Sequence, residues 1–131
     1  MRLFQNSPKK HEDNVLISPL PILCALAMTA NGAQGQTRSQ MESAFEIPLE
    51  QLNKYLGSYV QTLPQDNAYR LNTANSIWFR DDARLRGQLD FLQLNADYFH
   101  ADLYQVAFDD TTVKDINTWS KKTRMAWLIR L

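Results

Sequence analysis

Apolar and polar positions along the chain alternate with two different periods. From Ser18 the period is helical: Ile22, Leu23, Leu26, Ala27 and Ala30 form a broad apolar face that runs to about Asn31. Ser18 reads as the N-cap of this helix, with Pro19 at N1, where a missing N–H costs nothing. Pro21 falls at N3, still inside the first turn of unbonded donors. Gly32 suits the position just past the helix end. Thr37 followed by Gln40 has capping-box spacing and predicts a short helix to about Phe45. Pro48 opens another, with Leu49, Leu52, Tyr55, Leu56, Tyr59, Val60 and Leu63 at helical spacing.

Over 70–80 the period becomes two. Leu71, Thr73, Asn75, Ile77 and Phe79 share one face; Asn72, Ala74, Ser76 and Trp78 share the other. That much small polar character predicts a covered strand with hydrogen bonds made across its face. A helix from Phe91, a second strand over 102–108 and a last helix through Val113, Ile116 and Trp119, capped by Thr112 with Asp115, complete the pattern. Upstream, residues 3–6 read as a helix tail and 14–17 as a short strand. The expectation is an α+β fold of roughly six helical segments and three strands, in which 70–80 and 102–108 pair with each other.

A length of 131 residues bounds the chain at one domain, and an apolar share of 44% suffices for a packed core. Fourteen basic side chains balance fourteen acidic ones, which argues against nucleic acid or anionic lipid as a partner. The same balance leaves little repulsion against self-association. No segment has the length of a membrane span, and the N-terminal stretch has no hydrophobic core of a signal peptide.

Candidate chemistry is sparse. Asp81–Asp82 and Asp109–Asp110 are adjacent carboxylates of the kind that cap helices or sit solvated in turns. His11 and His100 have no partner at metal-ligand spacing, so neither a metal nor another cofactor is expected. Cys24, the single cysteine, lies on an apolar helix and reads as a small buried hydrophobe. Residues 32–37, GAQGQT, lack the Lys-Ser/Thr ending of a phosphate loop and read as a joint between helices. Trp78, Trp119 and Trp127 read as packing residues. No constellation here supports an enzyme.

The segment NVLISPLPILCALAMTANGAQGQTRSQM, over 14–41, resembles the serpin family: a strand, a Ser-Pro helix entry, an apolar helix, then a Gly-x-x-Gly-x-Thr-x-x-x-Met joint. LNTANSIWF resembles a strand of that family's sheet A, FLQLNADYFHADLYQVAFDD its next helix and strand, and INTW the helix that crosses the sheet. The resemblance runs from about 3 to 120 and implies the N-terminal third of a serpin domain with a partial sheet A. Residues 121–131 diverge, as a shifted reading frame would make them, and comparing all three frames of the coding DNA tests that. By resemblance, Ser18, Pro21 and Asn117 match positions in the zone where the family's sheet opens; Pro21 stands where the family has a second serine.

The resemblance further implies serine-type endopeptidase inhibition by a cleaved loop that inserts into sheet A, with a protease as partner. That loop belongs to the C-terminal part of the family's domain. Residues 1–131 are therefore expected not to inhibit by trapping. The alternative is an interaction module, whose open sheet edge accepts a C-terminal serpin fragment or a second copy. Helix 48–63 carries only Lys54 as a base, which gives no support for a polyanion site there. Family members occur inside and outside cells, so the resemblance assigns no compartment.

Overall fold

Two prolines set where the first helix begins and how it is capped. The computed structural model describes residues 18–64, 73–80, 82 and 88–128. Helix α1 (Pro19–Asn31) starts after Ser18, whose φ of −92° and ψ of 108° are those of an extended N-cap. Its hydroxyl makes no capping hydrogen bond. An N-cap oxygen accepts from N2 or N3, and Pro21 has removed the N3 donor. The buried face of α1 is Cys24, Ala27, Met28 and Ala30, while Ile22, expected inside, is 43% exposed.

Gly32 ends α1 in a way its left-handed reputation does not predict. Its φ is −88°, right-handed. What requires glycine is a close approach: a Cβ here would lie 3.2 Å from the Phe91 ring. The last turn tightens instead, with Gly32 N–H donating to Thr29 O (3.1 Å) and Ala33 N–H to Ala30 O (2.9 Å).

Helix α2 (Gly35–Phe45) begins two residues before Thr37, with Gln34 as its N-cap, so the predicted Thr37 cap is incorrect. Gly35 has a φ of +54°, which turns the chain sharply enough to start the helix at once. The stretch 32–37 is thus the joint between α1 and α2. Helix α3 (Leu49–Gln61) follows, with Pro48 at its N-cap rather than inside it. The carboxylate of Glu42 on α2 accepts from the Leu49 N–H at 2.9 Å, satisfying the first free donor of α3.

The buried stripe of α3 is Leu49, Leu52, Asn53, Leu56 and Gly57. Tyr55 and Tyr59, expected in that stripe, are 59% and 56% exposed. They lie one position off it, and Asn53 and Gly57 take the core places that aromatic size made them seem to fill.

Strands β1 (Ser76–Arg80) and β2 (Asp102–Val106) pair with each other, as expected, and are parallel, in register from Ser76↔Asp102 to Arg80↔Val106. Helix α4 (Leu89–Phe99) is the crossover that a parallel pair requires. Both strands are shorter than predicted. Residues 73–75 are not strand, and beyond Val106 the chain turns at Phe108, whose φ is +59°. The period-two reading holds within β1: Ile77 packs on the core, while Trp78 on the other face stacks on Tyr104, centroids 4.2 Å apart. Asn75, on the Ile77 face, donates to Phe99 O at 3.0 Å.

Helix α5 (Asp110–Leu128) is capped by Asp109, not by Thr112 with Asp115. One Asp109 carboxylate oxygen accepts from the N–H groups of Thr111 (2.9 Å) and Thr112 (3.3 Å). An Asp one turn earlier reaches the free donors better than a Thr already inside the helix. The core joins α1, α3 and α4 around Cys24, Leu49, Leu56 and Phe99. The predicted helix tail at 3–6, the strand at 14–17, residues 70–72, His11, Asp81 and the Trp127 side chain lie outside the described residues.

Candidate functional site

The feature that the fold leaves open is one side of β1. Among the described residues the sheet has two strands, so β1 is bonded to β2 and offers its other edge. Below that edge lies a groove of about 810 Å³, walled by Pro21 and Met28 of α1, Met41 of α2, Ile77 of β1, Phe91 of α4 and Trp119 of α5. Among the described residues no titratable side chain lines it. A wall of thioethers, rings and methyl groups can bury apolar surface; the hydroxyls of Thr29, Thr37 and Ser76 at it have no acid or base beside them among the described residues.

A smaller cavity of about 320 Å³ separates α5 from the upper face of the sheet, between the stacked Trp78–Tyr104 pair, Val106 and Trp119. The α5 helix is tied to β2 by the Trp119 indole N–H, which donates to Asp102 Oδ2 at 2.7 Å. The other indole is satisfied too, by donation from Trp78 Nε1 to Ser76 Oγ at 2.9 Å.

The three positions singled out by resemblance lie on two helices, Ser18 and Pro21 at the start of α1 and Asn117 on α5. Pro21 lines the groove. Ser18 is exposed at the start of α1, and Asn117 is exposed on α5. Among the described residues no hydrogen bond links them. The remaining candidates have structural roles. Asp109 caps α5, and those bonds hold its carboxyl below the usual range. Cys24 is fully buried, and burial pushes its thiol up, away from nucleophilic use. His100 ends α4 with a φ of +49°. Lys54 pairs with Glu50 one turn away at 2.9 Å. Among the described residues no group of acidic, His and Cys side chains has the makings of a metal site.

One polar feature escaped the sequence reading: a chain of three asparagines through the helical core. Asn53 Nδ2 donates to Asn31 Oδ1 (2.7 Å), Asn31 Nδ2 to Asn95 Oδ1 (3.0 Å), and Asn95 Nδ2 to Phe91 O (2.9 Å). The amide orientations follow from its end. A backbone carbonyl only accepts, so Asn95 must point its NH₂ at Phe91, and each upstream amide is then determined in turn. Asn53 and Asn95 are 3% and 0% exposed. Their signal was a polar residue at a core position: Asn95 sits four after Phe91 and four before Phe99.

Residues 1–126 match the family described as Serpin (serine protease inhibitor). The chain belongs to the serpin family. Among solved structures, the thermophilic serpin tengpin in its latent state superposes with a TM-score of 0.80 at 47% identity, covering 92% of this chain and 33% of that one. Human Serpin B9 is 32% identical over 127 residues, 92% of this chain and 32% of its own. A serpin-like protein of Methanosarcina acetivorans is 30% identical over 117 residues, 85% of this chain and 27% of its own. The chain therefore spans about a third of the length of these serpins, and its fold is the α+β N-terminal part of theirs. Serpins are protease inhibitors, so the family's partners are proteases.

Proposed function

We propose that these residues supply the fixed flank of a serpin-type serine endopeptidase inhibitor. In this reading β1 and β2 are the part of sheet A that stays in place, and another stretch of serpin chain completes the sheet beside β1. The observation that carries it is the one-sided pairing of β1 above a groove with an apolar wall and no titratable side chain. A surface of that kind is suited to receiving a strand and its apolar side chains, and unsuited to chemistry. In this reading the groove receives chain and carries no catalysis.

As a separate polypeptide, residues 1–131 form no covalent trap, because trapping needs a bait loop joined to the sheet it enters. Incubation with a panel of serine proteases should leave no complex that survives SDS; one such complex overturns the proposal. Ser18, Pro21 and Asn117 act as structural positions near the opening zone, with Pro21 presenting a ring where a hydroxyl would make a hydrogen bond. Restoring it with Pro21→Ser should raise the melting temperature of a completed domain, and a fall would refute that assignment.

A second reading follows from the same edge: an interaction module whose partner is a C-terminal serpin fragment. Co-expression discriminates. Recovery of a stoichiometric complex supports it, and independent elution of the two pieces removes it.

A further inference from the structure

The asparagine chain has its middle member at a chemically sensitive place. Asn31 is followed by Gly32, and no other asparagine of the 131 residues precedes a glycine. An Asn-Gly pair is the dipeptide most open to intramolecular deamidation, because no Cβ shields the glycine nitrogen from the asparagine side chain. In the reaction the Gly32 nitrogen gives up its proton and attacks Asn31 Cγ. The Cγ–Nδ2 bond breaks and ammonia leaves. Water then opens the resulting succinimide at either carbonyl, leaving aspartate or isoaspartate. Nothing is oxidised or reduced, and water is the one co-reactant.

The folded geometry blocks each requirement. Asn31 is the last residue of α1, and a helical backbone carries the next nitrogen away from its side chain. The Gly32 N–H is committed to Thr29 O at 3.1 Å. The Asn31 amide is held at both ends, accepting from Asn53 at 2.7 Å and donating to Asn95 at 3.0 Å. Phe91 lies against Gly32, where even a Cβ would meet the ring at 3.2 Å. The succinimide therefore forms only when the end of α1 parts from α3 and α4.

We infer that Asn31–Gly32 is a deamidation site gated by the Asn53–Asn31–Asn95 chain, and that its modification acts one way. A carboxylate at position 31 has no hydrogen to give Asn95 Oδ1, so two acceptors face each other where a donor had been. Asn95 cannot turn its amide round without abandoning Phe91 O. The link from α1 to α4 is lost, and the helix end that opened does not close as before. An opening in which the ring closure runs to completion thus leaves a permanent chemical record at the end of α1.

The test follows Asn31 by peptide mapping, reading the mass gain of amide-to-acid conversion at mildly alkaline pH. The samples are the full chain, the full chain with Asn95→Val, and a synthetic peptide of residues 26–36. The full chain should convert at least about tenfold more slowly than the peptide, a factor equal to an opening free energy of about 1.4 kcal/mol. Asn95→Val should move its rate most of the way to that of the peptide. A full chain as fast as the peptide, or an Asn95→Val chain as slow as the unaltered one, overturns the gate.

Since Asn95→Val also loosens the fold, Asn31→Asp gives an independent readout. A half-buried carboxyl that faces the Asn95 carbonyl oxygen ionises above the ordinary value of about 4, and its protonated form regains the hydrogen that Asn95 Oδ1 accepts. The melting temperature of Asn31→Asp should match that of the unaltered chain below about pH 4 and fall beneath it as pH rises. A deficit independent of pH overturns the one-way effect.

Discussion

Asp109 shows how one side chain determines where an element starts. Its carboxylate takes the free N–H groups of Thr111 and Thr112 and the Thr111 hydroxyl, and these bonds lower its pKa. The sign of the pH effect follows. A carboxyl depressed in the folded state adds stability above its unfolded value, and that contribution fades as pH falls through the folded value. Asp109→Ala should therefore lower the melting temperature at neutral pH, with the difference closing in acid below about pH 4. Asp109→Asn, still a good cap, should lose less. Equal deficits for Asp109→Ala at neutral and acid pH, measured by circular dichroism, would refute the assignment. The sequence offered Asp109 as one of an adjacent pair and pointed to Thr112 as the cap, because both residue types cap and Thr112 has Asp115 at capping-box spacing. Only the position of the first helical turn decides.

Among elements, the packing of α3 on α4 turns on a missing side chain. Gly57 lies in the buried stripe, and a Cβ added there would sit 3.0 Å from Tyr98 Cδ1 and 3.2 Å from its carbonyl oxygen. Alanine normally improves a helix over glycine by about 1 kcal/mol. Here the carbonyl belongs to the backbone of α4 and cannot swing aside, so overpacking prevails, at a loss of about 1–3 kcal/mol. Gly57→Ala should thus lower the urea midpoint, and a higher midpoint would show that the helices have room to part. Element types and order were legible in the sequence because helical and strand periods differ sharply. The exact faces were less so. Tyr55 and Tyr59 look apolar by class yet stand in solvent, where Tyr55 OH accepts from Gln51 at 3.0 Å, while Asn53 and Gly57 look wrong for a core and are in it. Composition ranks residues by water transfer; helical geometry ranks them by angle, and two tyrosines one position off the stripe expose the conflict. The asparagine chain was not legible, because its members lie on three different helices and only their packing brings the amides together.

At the scale of the whole molecule, the described residues present an apolar groove and an unpaired strand edge together. At about 25 cal/mol per Å², each 100 Å² of such surface left wet forfeits about 2.5 kcal/mol, a large share of a domain's stability of about 5–15 kcal/mol. Zero net charge does nothing to hold copies apart. The chain taken alone should elute at an apparent mass that rises with concentration, and a complementing serpin fragment should return it to a discrete species. A sharp thermal transition from a monomer, unchanged over a hundredfold dilution by any fair estimate of the association range, would contradict that picture.

Cys24 turns this architecture into something that can be watched in a cuvette. It is the chain's single thiol, it has no exposed surface, and it sits on the helix that forms one wall of the groove. A maleimide dye added in excess reaches it only through an excursion of α1, so the rate of fluorescence gain counts those excursions directly. Any added polypeptide that truly seats against the helix should silence the reaction, and a sham binder on the far surface should leave the reaction running.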